Sequence, residues 1–181
     1  KAMANGFSVS AVCGKKKIME LGSITNKTEE RVFLLSTTHG AEMNSLSAFI
    51  ETVKFIKKNK VIKNNWNYGA KLIEESNKIS KKIGINEYFN FSGIACSPLF
   101  NCLDNNKNNS LEFRTLFIQE MLKHGILMPW VSIAYRHSDK TLKKTLIAME
   151  KTLYVYKKAL KYGVKNFLKG HVIKPVFRRF N

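Results

Sequence analysis

The sequence predicts a mixed α/β fold. Short apolar runs rich in small and β-branched residues alternate along the chain with amphipathic helical patterns, and such alternation is typical of helices packed on a sheet. The chain has 181 residues, of which 44% are hydrophobic, enough for one domain, or for one domain and part of another. Its aromatic content excludes a disordered chain.

The first quarter of the chain contains two predicted strands, each followed by a helix. Residues 7–13 form the first short buried strand, and residues 14–17 turn into a short helix from Ile18. Residues 31–35 form the second strand. The hydroxyl-rich segment 36–40 then leads into an amphipathic helix, whose apolar stripe is Met43, Leu46, Phe49, Ile50, Val53 and Ile56.

The middle of the chain combines a second long helix with two strands. Residues 64–67 are predicted to interrupt the helical pattern, which resumes over 68–83 and ends at Gly84. An alternating pattern over residues 88–98 indicates a strand ended by Pro98, and residues 99–103 form another strand. A turn over 104–109 follows.

The last third begins with a helix from Ser110 to Lys123, which His124 and Gly125 end. Residues 126–133 have a strand-like pattern around Pro129 and Trp130. The longest helix then starts at residues 138–141 and extends to about Lys161.

The charge is a formal +18, with 31 Lys and Arg against 13 Asp and Glu. Only five of the positive residues are Arg, which leaves 31 − 5 = 26 Lys, whereas groove-reading proteins favour Arg. The lysines recur at helical intervals beside apolar positions, which favours solvated helix faces over a nucleic-acid surface. The predicted partners therefore include neither nucleic acid nor membrane.

Three further observations concern the cellular setting. The longest apolar stretch, residues 125–135, contains Pro129 and is about half the ~20 residues that cross a bilayer. Three cysteines without metal-like spacing, Cys13, Cys96 and Cys102, favour reduced thiols in the cytoplasm. A first residue other than Met leads us to expect the C-terminal part of a longer chain.

Four segments resemble class III aminotransferases, most closely their glutamate-1-semialdehyde aminomutase branch. Lys1-Ala-Met-Ala-Asn-Gly-Phe, followed by a small-residue run closing on Gly14, resembles the segment of the cofactor lysine. Residues 36–40, Ser-Thr-Thr-His-Gly, resemble a Thr-x-x-Gly segment. Residues 112–128 are similar to the family's helix that leads into a strand in the C-terminal domain. Residues 135–139 are similar to the segment from which the family's last long helix starts. Relatives of this branch act in cell-surface sugar or tetrapyrrole precursor metabolism.

The resemblance implies the C-terminal part of a fold type I pyridoxal-phosphate transferase, which makes Lys1 the catalytic residue that forms a Schiff base with pyridoxal 5'-phosphate. Thr37 would bind the cofactor phosphate across the interface of a homodimer, with Thr38 as the alternative. Small-molecule amino donors and carbonyl acceptors are the implied partners. Residues 1–60 would end the large cofactor-binding domain, and residues 61–181 would form a linking helix and the small C-terminal α/β domain.

Other candidate residues have simpler interpretations. The four histidines lack metal-like spacing, so no metal site is expected. Arg136 could meet a substrate carboxylate, although a structural salt bridge is the simpler interpretation. The aromatic residues Phe89, Phe91, Phe100, Trp130 and Tyr135 are predicted to be core. Two other functions remain open: a basic binding module for nucleic acid or anionic membrane, and a degenerate subunit that binds no cofactor.

Overall fold

The computed structural model describes residues 2–23, 40 and 42–174. It divides the chain into two compact units, residues 1–61 and 62–181. The predicted strand at residues 31–35 lies outside the described residues. Among those described, no helix has the length and apolar content that would span a membrane.

The first unit contains two helices in its described part. α1 (Lys16–Met19) continues into a 3-10 turn over Glu20–Gly22, and α2 (Met43–Lys58) carries the predicted stripe. Residues 7–13 are not the buried strand that we predicted, because they are irregular and largely exposed. A strand needs a neighbour to satisfy its backbone groups, and this segment has none among the described residues.

The second unit begins with α3 (Val61–Ile83), which is longer than predicted. Residues 64–67 lie inside this helix, so the interruption expected there is wrong. The chain turns earlier, where Lys60 has a φ of 50° and the Asn59 side chain donates to the Phe55 carbonyl over 3.0 Å. Asparagine favours such positions outside helices.

A two-stranded antiparallel hairpin follows α3. β1 (Phe89–Ile94) pairs with β2 (Ser97–Cys102) in a register that places Phe89 opposite Cys102 and Phe91 opposite Phe100. Pro98 lies within β2 instead of ending β1. Cys102 is buried in β2, whereas Cys96 lies in the hairpin turn and is half-buried.

Two capped helices complete the second unit. α4 (Leu111–Lys123) starts at Ser110, whose hydroxyl accepts a hydrogen bond from the Phe113 amide. α5 (Asp139–Tyr162) starts with a reciprocal cap between Ser138 and Thr141, which satisfies backbone groups at the helix end. Both helices match the predicted bounds closely.

The core of the second unit lies between the hairpin, α4 and α5. Its most deeply buried large side chains are Phe89, Leu116, Phe117, Met121, Met149, Leu153 and Tyr156. The Tyr156 hydroxyl lies 2.7 Å from the Leu103 carbonyl and 3.1 Å from the Tyr88 carbonyl. This one polar atom therefore ties α5 to both chain segments at the open end of the hairpin.

The helices α3 and α5 run parallel. Lys71 pairs with Asp139 over 3.1 Å, and Lys82 pairs with Glu150 over 2.9 Å. The two pairs have the same sequence offset of 68 residues, since 139 − 71 = 150 − 82, so both helices advance in one direction. The Lys157 ammonium also donates to the Ile83 carbonyl over 2.6 Å, which satisfies a carbonyl at the end of α3.

Candidate functional site

The predicted cofactor residues, Lys1, Thr37 and Thr38, lie outside the described residues, and their roles stay predictions. Gly40, which closes the Thr-x-x-Gly segment, is described and lies in an exposed turn. α2 starts three residues later at Met43. A helix therefore follows the hydroxyl-rich segment 36–40, as the sequence predicts.

The N-terminus of α2 is the described helix start that follows Thr37 and Thr38 along the chain. Its first turn contains no acidic side chain. Glu42 occupies the N-cap without forming a side-chain cap hydrogen bond, and its carboxylate lies 3.5 Å from the Ser45 hydroxyl. The backbone amides of a first helical turn and the helix dipole both favour a bound anion.

In the second unit, Arg114 contacts an irregular segment between α4 and α5. Its guanidinium donates to the Pro129 carbonyl over 2.9 Å and lies 4.3 Å from the centre of the Phe100 ring. Residues 126–133 pair with no strand among the described residues, so the strand predicted there is wrong. Arg114 was not singled out from the sequence, since an arginine on an amphipathic helix resembles any solvated cation.

A cavity of about 510 Å³ lies between α3, residues 125–133 and the first turns of α5. Most of its wall is apolar, and no Asp or Glu lines it; its side-chain wall includes Tyr68, Leu72, Ile126, Met128, Trp130, Val131, Ile133, His137, Thr141, Lys144 and Thr145. Trp130 lines this cavity and is 68% exposed, so the prediction that it packs in the core is wrong.

A cationic hollow adjoins the cavity on α5. It encloses about 310 Å³ and is lined by His124, Ile147, Ala148 and four lysines, Lys140, Lys143, Lys144 and Lys151. Within residues 42–174, none of these four lysines has an acidic partner. Lys144 is common to both concavities. A Cβ built on Gly125 would lie 3.7 Å from its ammonium nitrogen.

The remaining sequence candidates have structural environments of their own. Arg136 is exposed and makes no ion pair within the described part of the second unit, so the salt bridge favoured from the sequence is absent there. The His137 ring lies 5.2 Å from the Tyr68 ring, and its Nδ1 accepts from the Ala134 amide over 3.3 Å. His124 ends α4 as predicted. The described residues contain no cluster of His, Cys, Asp or Glu suited to a metal.

The fold has a solved counterpart. A Sphingopyxis protein, FumI of strain MTA144, solved in its PLP internal aldimine form, matches 73% of this chain and 31% of its own with a TM-score of 0.61 at 18% identity. This match confirms the predicted mixed α/β fold class.

Curated sequences extend the similarity. A 3-aminobutyryl-CoA aminotransferase of Cloacimonas acidaminovorans is 27% identical over 163 residues, which cover 88% of this chain and 37% of that protein. Glutamate-1-semialdehyde 2,1-aminomutase of Nitrosopumilus maritimus is 32% identical over 161 residues, with 82% and 37% coverage. No family model matches the chain.

These findings confirm the predicted resemblance to class III aminotransferases and the glutamate-1-semialdehyde aminomutase branch. The Fusobacterium nucleatum aminomutase agrees, with 29% identity over 168 residues. The chain spans little more than a third of the length of these relatives.

Proposed function

We propose that this chain is part of a pyridoxal-phosphate-dependent enzyme that transfers or migrates an amino group. The observation that carries the proposal is the similarity of more than 80% of the chain to an aminotransferase and two aminomutases. The solved counterpart is a PLP protein, which supports the same cofactor here. When bound, pyridoxal phosphate withdraws electrons from the carbon that bears the amino group.

Lys1 is the proposed attachment point for the cofactor. A lysine carries a primary amine, which bonds reversibly to an aldehyde. A substrate amine can then displace the lysine from that aldehyde. Once free, the Lys1 amine would hold and move a proton beside the substrate carbon, which requires a pKa below that of an exposed lysine.

Thr37 is the proposed phosphate ligand, through its hydroxyl and the neighbouring backbone amides. α2 follows at Met43 without an acidic first turn, so the positive end of its dipole favours a dianion nearby. Glu42 at the N-cap opposes this attraction. Thr38 is the alternative ligand, because Ser36 and Ala41-Glu42 depart from the residues that the resembling segment has there. We also propose that Thr37 acts across a homodimer interface, so that each site needs both subunits.

Substrate and setting are part of the same proposal. A small-molecule amino donor and a carbonyl acceptor, or one molecule that contains both groups, would react in the cytoplasm. Two of the relatives are named for glutamate-1-semialdehyde. Resemblance to their branch suggests tetrapyrrole precursor metabolism or cell-surface sugar metabolism as the setting. In this proposal residues 1–60 close the large domain and residues 61–181 form the small one.

Replacing Lys1 tests the proposal directly. In the full-length protein, Lys1→Ala should abolish the visible absorbance of bound cofactor and nearly all turnover. Lys15→Ala is the matched control, because Lys15 is exposed and should leave both unchanged. Borohydride-reducible cofactor retained in Lys1→Ala would place the attachment on another lysine. Wild-type protein that binds no cofactor would support the degenerate subunit instead.

A further inference from the structure

The cavity between α3, residues 125–133 and α5 has the size and lining of a small-molecule site. Its volume is about 510 Å³, within the range of roughly 300 to 1,000 Å³ that ligand pockets occupy. Leu72 and Met128 provide buried apolar wall, while Val131 and Ile133 are half-buried. An apolar ligand body would therefore replace water against apolar side chains, which is favourable.

The charge at the mouth of this cavity is positive. Lys144 lines it, and no carboxylate does. The ammonium of Lys144 lies beside Gly125, just beyond the C-terminus of α4, whose partial negative charge attracts the ammonium without neutralising it. Lys140, Lys143 and Lys151 surround the adjoining hollow and likewise have no acidic partner among residues 42–174.

We propose that this cavity binds a small amphipathic anion, with its apolar body against residues 126–133 and its carboxylate or phosphate head on Lys144. A purely apolar ligand would form no ion pair with Lys144, and a bare anion would make no apolar contact with residues 126–133. The ligand class therefore combines both features in one molecule. This inference stands independently of the proposed amino-group chemistry.

Trp130 provides the readout, because its indole lines the cavity and is 68% exposed. We would titrate the full-length protein with octanoate, octyl phosphate and the neutral analogue 1-octanol. Either anion should quench or blue-shift tryptophan emission saturably, and the change should be absent in Trp130→Phe. Comparison of octanoate with octyl phosphate identifies the preferred head group.

Two substitutions separate the head and the body of the ligand. Lys144→Met should weaken binding of the preferred anion about two- to fivefold, as expected for loss of one partly exposed ion pair, and leave 1-octanol unchanged. Val131→Asp should weaken all three probes. Lys158→Met is the charge-matched control, since Lys158 is exposed and lies 14 residues, or about 21 Å, farther along α5.

The outcomes decide the proposal. Saturable binding that depends on Trp130 and selectively on Lys144 supports it. No saturable response to either anion, or equal weakening by Lys144→Met and Lys158→Met, overturns it. Isothermal titration calorimetry on the same variants gives a check that does not rely on fluorescence. Loss of cofactor binding in Lys1→Ala would leave this result unaffected.

Discussion

The side chain of Asn77 pairs with both backbone groups of Phe91. Its Nδ2 donates to the Phe91 carbonyl over 2.9 Å, and its Oδ1 accepts from the Phe91 amide over 2.7 Å. The side-chain amide of Asn77 thus forms the hydrogen bonds that a neighbouring strand would form. The outer edge of β1 has no such strand in the described structure. Ser80 adds a third contact by donating to the Phe89 carbonyl over 2.6 Å.

Asn77→Ala should therefore destabilise the second unit by about 2 to 6 kcal/mol, because it leaves two part-buried backbone groups unsatisfied at a cost of roughly 1 to 3 kcal/mol each. Urea unfolding followed by circular dichroism measures this change. Asn101→Ala is the matched control, since within the described residues the Asn101 side chain bonds only to the side chains of Asn90 and Ser92. An equal loss in both variants would contradict the edge-capping role.

Gly69→Ala should also destabilise the second unit, for a steric reason. A Cβ at Gly69 would fall 1.6 Å from the Ala95 carbonyl oxygen and 2.7 Å from the Ile133 side chain. The hairpin turn would have to move away from α3, and forced overpacking commonly costs about 1 to 3 kcal/mol or more. The melting temperature reports the effect.

Gly170→Ala is the control for that substitution, because a Cβ at Gly170 meets nothing within 4 Å. It should change stability by less than about 0.5 kcal/mol. A normal melting temperature for Gly69→Ala would show that α3 and the hairpin turn pack less closely than described.

Burial raises the pKa of the Cys102 thiol to about 12. Because the folded pKa is the higher one, the unfolded chain releases this proton first, and stability falls as pH rises from about 9 towards 12. Between pH 8 and pH 10 this group should remove about 1.4 kcal/mol from the free energy of unfolding. Cys102→Ala should lose this part of the pH dependence, whereas Cys13→Ala should retain it, since Cys13 is exposed.

The sequence predicted the helices better than the strands, for a physical reason. Helical periodicity and caps are local, so α4 and α5 could be bounded from Ser110 and Ser138 alone. Strand formation depends on a distant partner, and residues 7–13 and 126–133 have strand-like composition without a partner among the described residues. The Asn59–Lys60 turn was missed because residues 64–67 have the stronger turn composition.

The concavities were harder to predict than the elements. Trp130 is a large aromatic residue in an apolar stretch, which predicts a position in the core. Only the path of residues 125–133 shows that it lines a cavity. Lys144 is one lysine among many on α5, and spacing alone does not reveal which of them adjoins an apolar wall. Lys1 and Thr37 were identified by resemblance, which uses motif order and needs no packing information.

Thr37→Val tests the proposed phosphate contact in the full-length protein. Valine keeps the volume and β-branching of threonine but lacks the hydroxyl. One hydrogen bond to a charged acceptor is worth about 1.5 to 3 kcal/mol, so the cofactor dissociation constant should rise roughly 10- to 150-fold. Thr38→Val is the control and should do much less. Normal cofactor binding by Thr37→Val would show that Thr37 does not bind the phosphate.

The interface part of the proposal predicts complementation between two inactive variants. If Thr37 reaches into the partner subunit's site, a heterodimer of Lys1→Ala and Thr37→Val places both lesions in one site and leaves the other site whole. Mixing the two proteins under conditions of subunit exchange should therefore restore activity, to at most about one site per heterodimer. Differently tagged subunits and native mass spectrometry verify the exchange. Verified heterodimers without recovered activity would show that Thr37 does not act across the interface, because each site would then still carry one lesion.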